Sequence, residues 1–341
     1  MTARRAAVAV LAGLLLATGG CAGQTTTVTE GAAPAASCGP TTARLDSLDV
    51  TPLADPGQPA LPVTVDSADG QKVTVTDASR ILAVNLYGSI AEIVFALGLG
   101  DRVVGRDTST TFPSAAHLPL VTPGGHDLSA EGVLRLAPTV VLVDASIGPP
   151  EVLAQLRRSG IPVVFLDQTQ TVEAIAPHIR AVAAALGVPE AGERLVSRVE
   201  GEIAAAKRTT PPGQRPLRIA FLYVRGTAGV FLLGGKGAGS DAMITAIGAE
   251  DAGTAIGMAK FRPLTSEGLI NAAPDVILVM TKALESVDGV EGLLRLPGVA
   301  QTPAGANRRI VDMDDGMLLS FGTRTGKAIQ ALADAVYGCA G

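Results

Sequence analysis

Two stretches of this chain are repeated later in the same order, and that repetition limits the possible folds more than any single motif. Leu128-Ser-Ala-Glu131-Gly-Val-Leu-Arg-Leu-Ala-Pro138-Thr-Val-Val-Leu-Val143 is echoed by Leu264-Thr-Ser-Glu267-Gly-Leu-Ile-Asn-Ala-Ala-Pro274-Asp-Val-Ile-Leu-Val279. Ile93-Val-Phe-Ala-Leu-Gly98-Leu-Gly-Asp101 is echoed by Met243-Ile-Thr-Ala-Ile-Gly248-Ala-Glu-Asp251. One match carries little weight, but two in the same order argue for two similar lobes. Between the copies, Gly187 and Pro189 end one helical run and open another. Leu195, Val199 and Ile203 then recur at four-residue spacing, with Glu193, Arg194, Arg198, Glu200 and Glu202 on the other faces. This is a helix from Pro189 to about Lys207, and at ~1.5 Å per residue it forms a rod of roughly 30 Å between the lobes.

Apolar runs alternate with helical patterns on both sides of the rod. The expected strands are Ile81–Asn85, Val103–Gly105, Val140–Val143 and Val163–Leu166 before it, and Leu217–Tyr223, Val230–Leu233, Val276–Met280 and Arg309–Val311 after it. A hairpin is expected over Leu61–Thr76, and a last helix from about Arg324 to Tyr337. Alternation of this kind predicts an α/β protein with parallel sheets covered by helices: two Rossmann-like lobes, with ligands beyond the carboxyl ends of the strands and therefore in the gap between lobes. Of the 341 residues, 47% are hydrophobic and 17% charged, enough for sizeable cores. The formal net charge of −5 and the lack of a basic cluster argue against a nucleic-acid partner.

The amino terminus reads as an address. Arg4 and Arg5 precede an apolar run from Ala6 to Ala17 that is too short to span a bilayer, and Thr18-Gly-Gly-Cys21 follows. Small residues before a cysteine resemble a bacterial lipoprotein signal, in which Cys21 is lipidated and becomes the mature terminus; Thr18 stands where an aliphatic residue is usual. An ordinary secretory signal is the alternative, and both export the protein. The expected divisions are residues 1–21 as signal, 22–44 as a flexible tether rich in Thr, Ala, Gly and Ser, 45–186 as the first lobe, 187–209 as the rod and 210–341 as the second lobe. Outside the cytoplasm, Cys38 and Cys339 are expected to pair as a disulfide, with two free thiols as the alternative.

Candidate chemistry is sparse. The histidines are His117, His126 and His178, too scattered for a bare-metal site built from several imidazoles. His126 follows the glycine-rich Val121-Thr-Pro-Gly-Gly125 and precedes a helix start, so its side chain can project from a lobe edge; a solvated loop histidine is the alternative. Tyr223 ends the apolar strand Leu217-Arg-Ile-Ala-Phe-Leu-Tyr223, with Arg225 two residues on and on the same side. A nearby cation favours a phenolate, a hard oxygen that suits ferric iron. The residues alone leave open a half-buried Tyr with its hydroxyl on the backbone. Gly234-Gly-Lys236-Gly-Ala-Gly-Ser240 lacks the spacing of a phosphate loop, no Gly-x-Ser-x-Gly occurs, and no zinc motif is present. These observations weigh against an enzyme.

Three motifs then carry a resemblance that covers roughly Pro62 to Tyr337: Gly124-Gly-His126-Asp-Leu-Ser-Ala-Glu131, Tyr223-Val-Arg225, and Leu86-Tyr-Gly-Ser-Ile-Ala-Glu-Ile-Val-Phe-Ala-Leu-Gly98. With these the chain resembles the class III periplasmic-type substrate-binding proteins of ABC importers, and among them the haemin-binding lipoproteins. The resemblance implies that His126 and Tyr223 are axial ligands of ferric haem (protoporphyrin IX) carried as cargo, and that Arg225 hydrogen-bonds to Tyr223. It implies that Glu131 and Glu267 dock one lobe each on a permease dimer served by an ATPase, with helix N-terminal stabilisation as the competing role. It further implies an extracytoplasmic protein, lipid-anchored to the cell membrane, that receives haem or meets haem-donating proteins. Because the rod between the lobes is a helix and not a flexible hinge, only modest closure is expected, with release forced by the permease prying the lobes through the Glu contacts. A siderophore or cobalamin binder of the same fold is the alternative. Arg106 and Arg262 are the candidates for propionate contacts, with plain surface roles as the competing reading.

Overall fold

The computed structural model describes residues 39–208 and 215–338. The signal segment with Cys21, and both Cys38 and Cys339, lie outside the described residues. The strands among them are β1 (Thr41–Ala43), β2 (Val63–Asp66), β3 (Lys72–Val75), β4 (Ile81–Val84), β5 (Val103–Gly105), β6 (Val140–Val143), β7 (Val163–Phe165), β8 (Arg218–Arg225), β9 (Val230–Gly234), β10 (Glu250–Asp251), β11 (Phe261–Pro263), β12 (Val276–Met280) and β13 (Ile310–Met313).

The first lobe is built on a parallel sheet of order β5-β4-β6-β7. Every residue of β4 and β6 is buried, as unbroken apolar strands require when helices cover both faces. Ile81, Ala83, Val140 and Leu142 join the main core. Leu82, Val84, Val141 and Val143 turn the other way, into a second cluster with Val133, Leu153 and Leu156 of the helices Ala130–Arg135 and Pro150–Arg158. The hairpin β2-β3 stands apart as an antiparallel pair.

In the second lobe β10, β8, β12 and β13 are parallel in that order, with β1 added beside β13. The tether expected to run through residue 44 therefore ends earlier. Thr41–Ala43 pairs with Val311–Met313, and Ala43 is buried, because the last parallel strand would otherwise leave an open edge. A second difference is at the opposite edge. β9 runs antiparallel to β8, and β11 antiparallel to β9. Only the short turn Gly226–Gly229 joins β8 to β9, whereas a parallel partner needs a crossover of a dozen residues or more.

The connecting helix is Pro189–Ala206, with Leu195, Val199 and Ile203 buried as the spacing demands. It lies close to its neighbours through small residues. A Cβ on Gly192 would come within 2.6 Å of Ala183, and one on Gly326 of the last helix (Thr325–Tyr337) within 2.8 Å of Glu202. Beside the rod, the lobes are tied by charge. Glu92, on helix Ser89–Ala96, pairs with Arg324 at 2.8 Å, the two side chains 1% and 7% exposed. Its other oxygen accepts from Thr323 Oγ1 at 2.9 Å and from the Arg324 backbone at 2.7 Å, and Arg324 also donates to the Leu48 carbonyl and lies over the Phe112 ring. A buried pair with this many partners fixes the spacing of the elements that carry it.

Candidate functional site

The carboxyl ends of β4 to β7 and of β8, β12 and β13 carry the polar side chains of interest, as expected for open parallel sheets. In the first lobe Asn85, just past β4, is the hub. Its Nδ2 donates to Asp144 Oδ2 and to Ser89 Oγ, both at 3.0 Å, and its backbone N–H donates to Asp107 Oδ2 at 3.0 Å. Asp107 Oδ1 accepts from the Thr110 N–H at 2.7 Å. Burial pushes the Asp107 carboxyl up to about 6, and these hydrogen bonds only partly offset it. Leu86 N–H donates to Ser146 Oγ at 3.0 Å, and Ser109 Oγ donates to the Leu86 carbonyl at 2.5 Å. Gly88 closes the turn at φ 71°, and a Cβ added there would come within 2.8 Å of the Ser109 carbonyl oxygen. The Leu86-Tyr87 turn is thus held on all sides, with Leu86 exposed and Tyr87 half-buried.

Tyr87 had only a place within a motif, with no role assigned. Its phenol is pushed up by burial first, then by the Asp144 carboxylate of its own lobe, then by Tyr223 of the other lobe. The scarcity of tyrosine, three in the chain, was the signal that could have singled it out.

Tyr223 lies within β8, paired with Leu232 of β9, and its ring packs 5.8 Å from the Phe261 ring of β11. Arg225 shares its face, with Cζ 4.5 Å from the Tyr223 ring centroid. The guanidinium lies over the ring, not in line with the hydroxyl, and this differs from the hydrogen bond that the resemblance implies. Its Nη1 donates to the Val224 carbonyl at 3.0 Å and its Nη2 lies 3.7 Å from Asp315 Oδ1. Asp315 Oδ2 in turn accepts from the Lys282 N–H at 3.0 Å. Burial raises the Asp315 carboxyl, opposed by the Lys282 N–H and Arg225.

His126 is on the other lobe, in a loop stitched to the residues after β6. Gly148 N–H donates to the His126 carbonyl at 3.1 Å and Leu128 N–H to the Gly148 carbonyl at 2.7 Å. Gly125 turns the chain at φ 100°, a conformation that favours glycine. The imidazole is 61% exposed, with Nε2 3.7 Å from Asp127 Oδ1, so it is a free donor at the lobe's ligand edge. His117 is exposed in a separate loop, and His178 is buried against Asp167 at 3.4 Å. Among the described residues no three His, Cys, Asp or Glu gather as a metal site.

The structure thus brings Tyr223 and Arg225 into contact and holds His126 on the opposite lobe. An imidazole nitrogen on one lobe and, on the other, a phenol oxygen beside a guanidinium and the Phe261 ring are groups of a chemistry that suits a flat, apolar, iron-bearing ligand. The propionate candidates fare differently. Arg262 pairs in register with Leu233, which pairs with Leu222, and strand alternation places it on the sheet face away from Tyr223. Arg106 donates from Nη1 to the Asp107 carbonyl at 3.3 Å, and its Nε is buried without a partner. A groove of about 240 Å³ between helices Ile175–Ala185 and Pro189–Ala206 contains none of these residues.

Glu131 and Glu267 occupy the same place in matching helices. Ser129 caps Ala130–Arg135 by accepting from Gly132 N–H, and Thr265 caps Ser266–Ala272 by accepting from Gly268 N–H, each at 3.1 Å. Both carboxylates are exposed, and Glu131 also pairs with Arg135 at 2.6 Å.

A sequence profile described as "Periplasmic binding protein" matches residues 84–316. The chain is 26% identical over 283 residues to the uncharacterized ABC transporter substrate-binding lipoprotein YvrC of Bacillus subtilis (strain 168), covering 81% of this chain and 86% of that one. It is 31% identical over 118 residues to the vitamin B12-binding protein of a Vibrio cholerae serotype O1 strain, covering 34% and 41%. Among solved structures it is similar to the heme binding protein HmuT, with 39% identity, TM-score 0.82 and coverage of 88% of this chain and 97% of that one. Variants of HmuT with single alanine replacements at a histidine, at a tyrosine and at an arginine two positions after that tyrosine match to the same degree. The apo form of the periplasmic heme-binding protein RhuT from Roseiflexus sp. RS-1 is 46% identical, with TM-score 0.72, covering 78% and 100%.

Proposed function

Because the chain belongs to the periplasmic binding protein family, we propose that it captures ferric haem between its lobes and delivers it to an ABC importer. It is a binding protein and not an enzyme. The observation that carries this reading is the Tyr223-Val-Arg225 edge of β8, with the guanidinium over the Tyr223 ring on one lobe, together with the exposed imidazole of His126 on the other. HmuT shares the spacing of tyrosine and arginine. Tyr223 oxygen and His126 nitrogen are the axial donors. Apolar burial of the porphyrin supplies most of the affinity, and the two donors supply orientation and iron selectivity.

Delivery follows from the fold. With a helical rod and a buried ion pair between the lobes, closure is small, and release comes from the permease acting on Glu131 and Glu267. Helix capping and docking are compatible roles for these two residues, since their exposed carboxylates lie at helix starts that favour negative charge. Cys21 is the lipid attachment that holds the protein outside the cytoplasm at the cell membrane, and Cys38 with Cys339 forms a disulfide. A cobalamin reading of the same fold is favoured by the identity to the vitamin B12-binding protein.

Titration with haemin decides between them. A Soret band with a ferric phenolate pattern should form, lose intensity and shift in Tyr223→Ala, and change in His126→Ala. Unchanged spectra in both variants would remove these ligands, and tight cobalamin binding with no haemin band would favour the second reading.

A further inference from the structure

The residues named so far leave Asp315 without a task. It is not in either repeat and not in any motif, yet it sits 17% exposed beside the Tyr223 edge. Its Oδ2 is pinned by the Lys282 N–H at 3.0 Å, at the start of the helix Thr281–Glu285, so the carboxylate has a fixed position. From there Oδ1 faces Arg225 Nη2 at 3.7 Å, while Nη1 is taken by the Val224 carbonyl at 3.0 Å. With its two terminal nitrogens so directed, the guanidinium lies over the Tyr223 ring, its Cζ 4.5 Å from the ring centroid. In that place it favours the ring's face through the quadrupole, but it does not reach the hydroxyl oxygen that would carry the charge on iron.

We propose that Asp315 is a positioning residue that competes with the Tyr223 oxygen for Arg225, drawing the guanidinium onto the ring face and so weakening the phenolate's hold on the cargo. The inference rests on the haem reading above. A cation has two stations here, the carboxylate and the phenolate oxygen, and a carrier that must surrender its cargo gains from keeping both. Other charged neighbours do not offer Arg225 a third anchor: Asp314 accepts from the Gly316 N–H at 2.9 Å as the cap of the helix Asp315–Leu318, and Lys282 meets Asp315 through its backbone.

The test uses the full chain loaded with haemin and measures haem loss to an excess of apomyoglobin, together with the phenolate-to-iron charge-transfer band. Asp315→Asn keeps the side chain's shape and an acceptor for the Lys282 N–H. It should slow haem loss roughly two- to fivefold, the range for a partly exposed charge pair, and shift the band. Arg225→Ala should speed haem loss, and adding Asp315→Asn to it should change neither rate nor band further. An Asp315→Asn rate equal to or faster than wild type, or the same change with and without Arg225, would overturn the proposal. Tyr223→Phe separates the two levels: if it retains the charge-transfer band, the haem reading itself fails, whereas loss of the band with a silent Asp315→Asn removes only the role of Asp315.

Discussion

The two lobes share one design and differ where it matters. β5-β4-β6-β7 in the first corresponds to β10-β8-β12-β13 in the second. Ile81 faces Val140 and Ile219 faces Val276, so Asn85 is the counterpart of Tyr223, and Tyr87 of Arg225. At that point the paths diverge. In the first lobe the chain turns at once, with Asn85 folded inward onto Asp144 and Ser89. In the second, β8 continues to Arg225 because β9, itself backed by β11, gives the added residues hydrogen-bond partners. On the haem reading proposed above, this extension makes a duplicated scaffold asymmetric: phenol and guanidinium on a strand of one lobe, imidazole on a loop of the other.

The comparison can be broken at several points, the largest effect coming first. Glu92→Gln leaves Arg324 buried without its counter-charge and should cost about 3–5 kcal/mol, read as a lower midpoint in denaturant. A single transition means that the lobes unfold together, and two transitions would show that they are independent halves.

Next comes pH. Asp107, with its folded value near 6 against an ordinary value near 3.8, binds its proton more tightly when folded. Wild-type stability relative to Asp107→Asn should therefore fall as pH rises from about 4 to about 6, by about 3 kcal/mol, and stay level above. A flat difference would show that the carboxyl is not held as described.

Gly88→Ala places a Cβ at φ 71° against the Ser109 carbonyl, and a cost of about 1–3 kcal/mol is expected, together with weaker haemin binding through the displaced Tyr87 turn. Unchanged haemin affinity would remove Tyr87 from the site. Smallest are the caps: Ser129→Ala and Thr265→Ala should each cost about 1 kcal/mol, and by nearly equal amounts. Unequal costs would show that the repeated helices are not equivalent.

Much of the scaffold was legible locally. Ser129 and Thr265 mark helix starts, Gly98 and Gly248 mark helix ends at φ 87° and 77°, and the valine-rich β6 and β12 read as buried strands. Ala137 and Ala273, both at φ 44° before a proline, repeat even in their strained backbone. His126, Tyr223 and Arg225 stood out through their motifs and their resemblance. What went unread depends on partners far away in sequence. Glu92 reads as an acidic residue in a first helical turn until Arg324 is brought to it. Thr41–Ala43 reads as tether until β13 offers an edge. Asp315 reads as a loop carboxylate until Arg225 comes near.

By itself the sequence determined the duplicated α/β plan and the rod between the lobes, because helix periodicity, apolar runs and capping are interactions among near neighbours. Only the tertiary structure decided that β8 runs on past the repeat, that Arg225 covers the Tyr223 ring and not its hydroxyl, and that Glu92 meets Arg324. Each of these is set by groups from separate elements competing for the same hydrogen bonds and charges, and that competition exists only once the chain has folded.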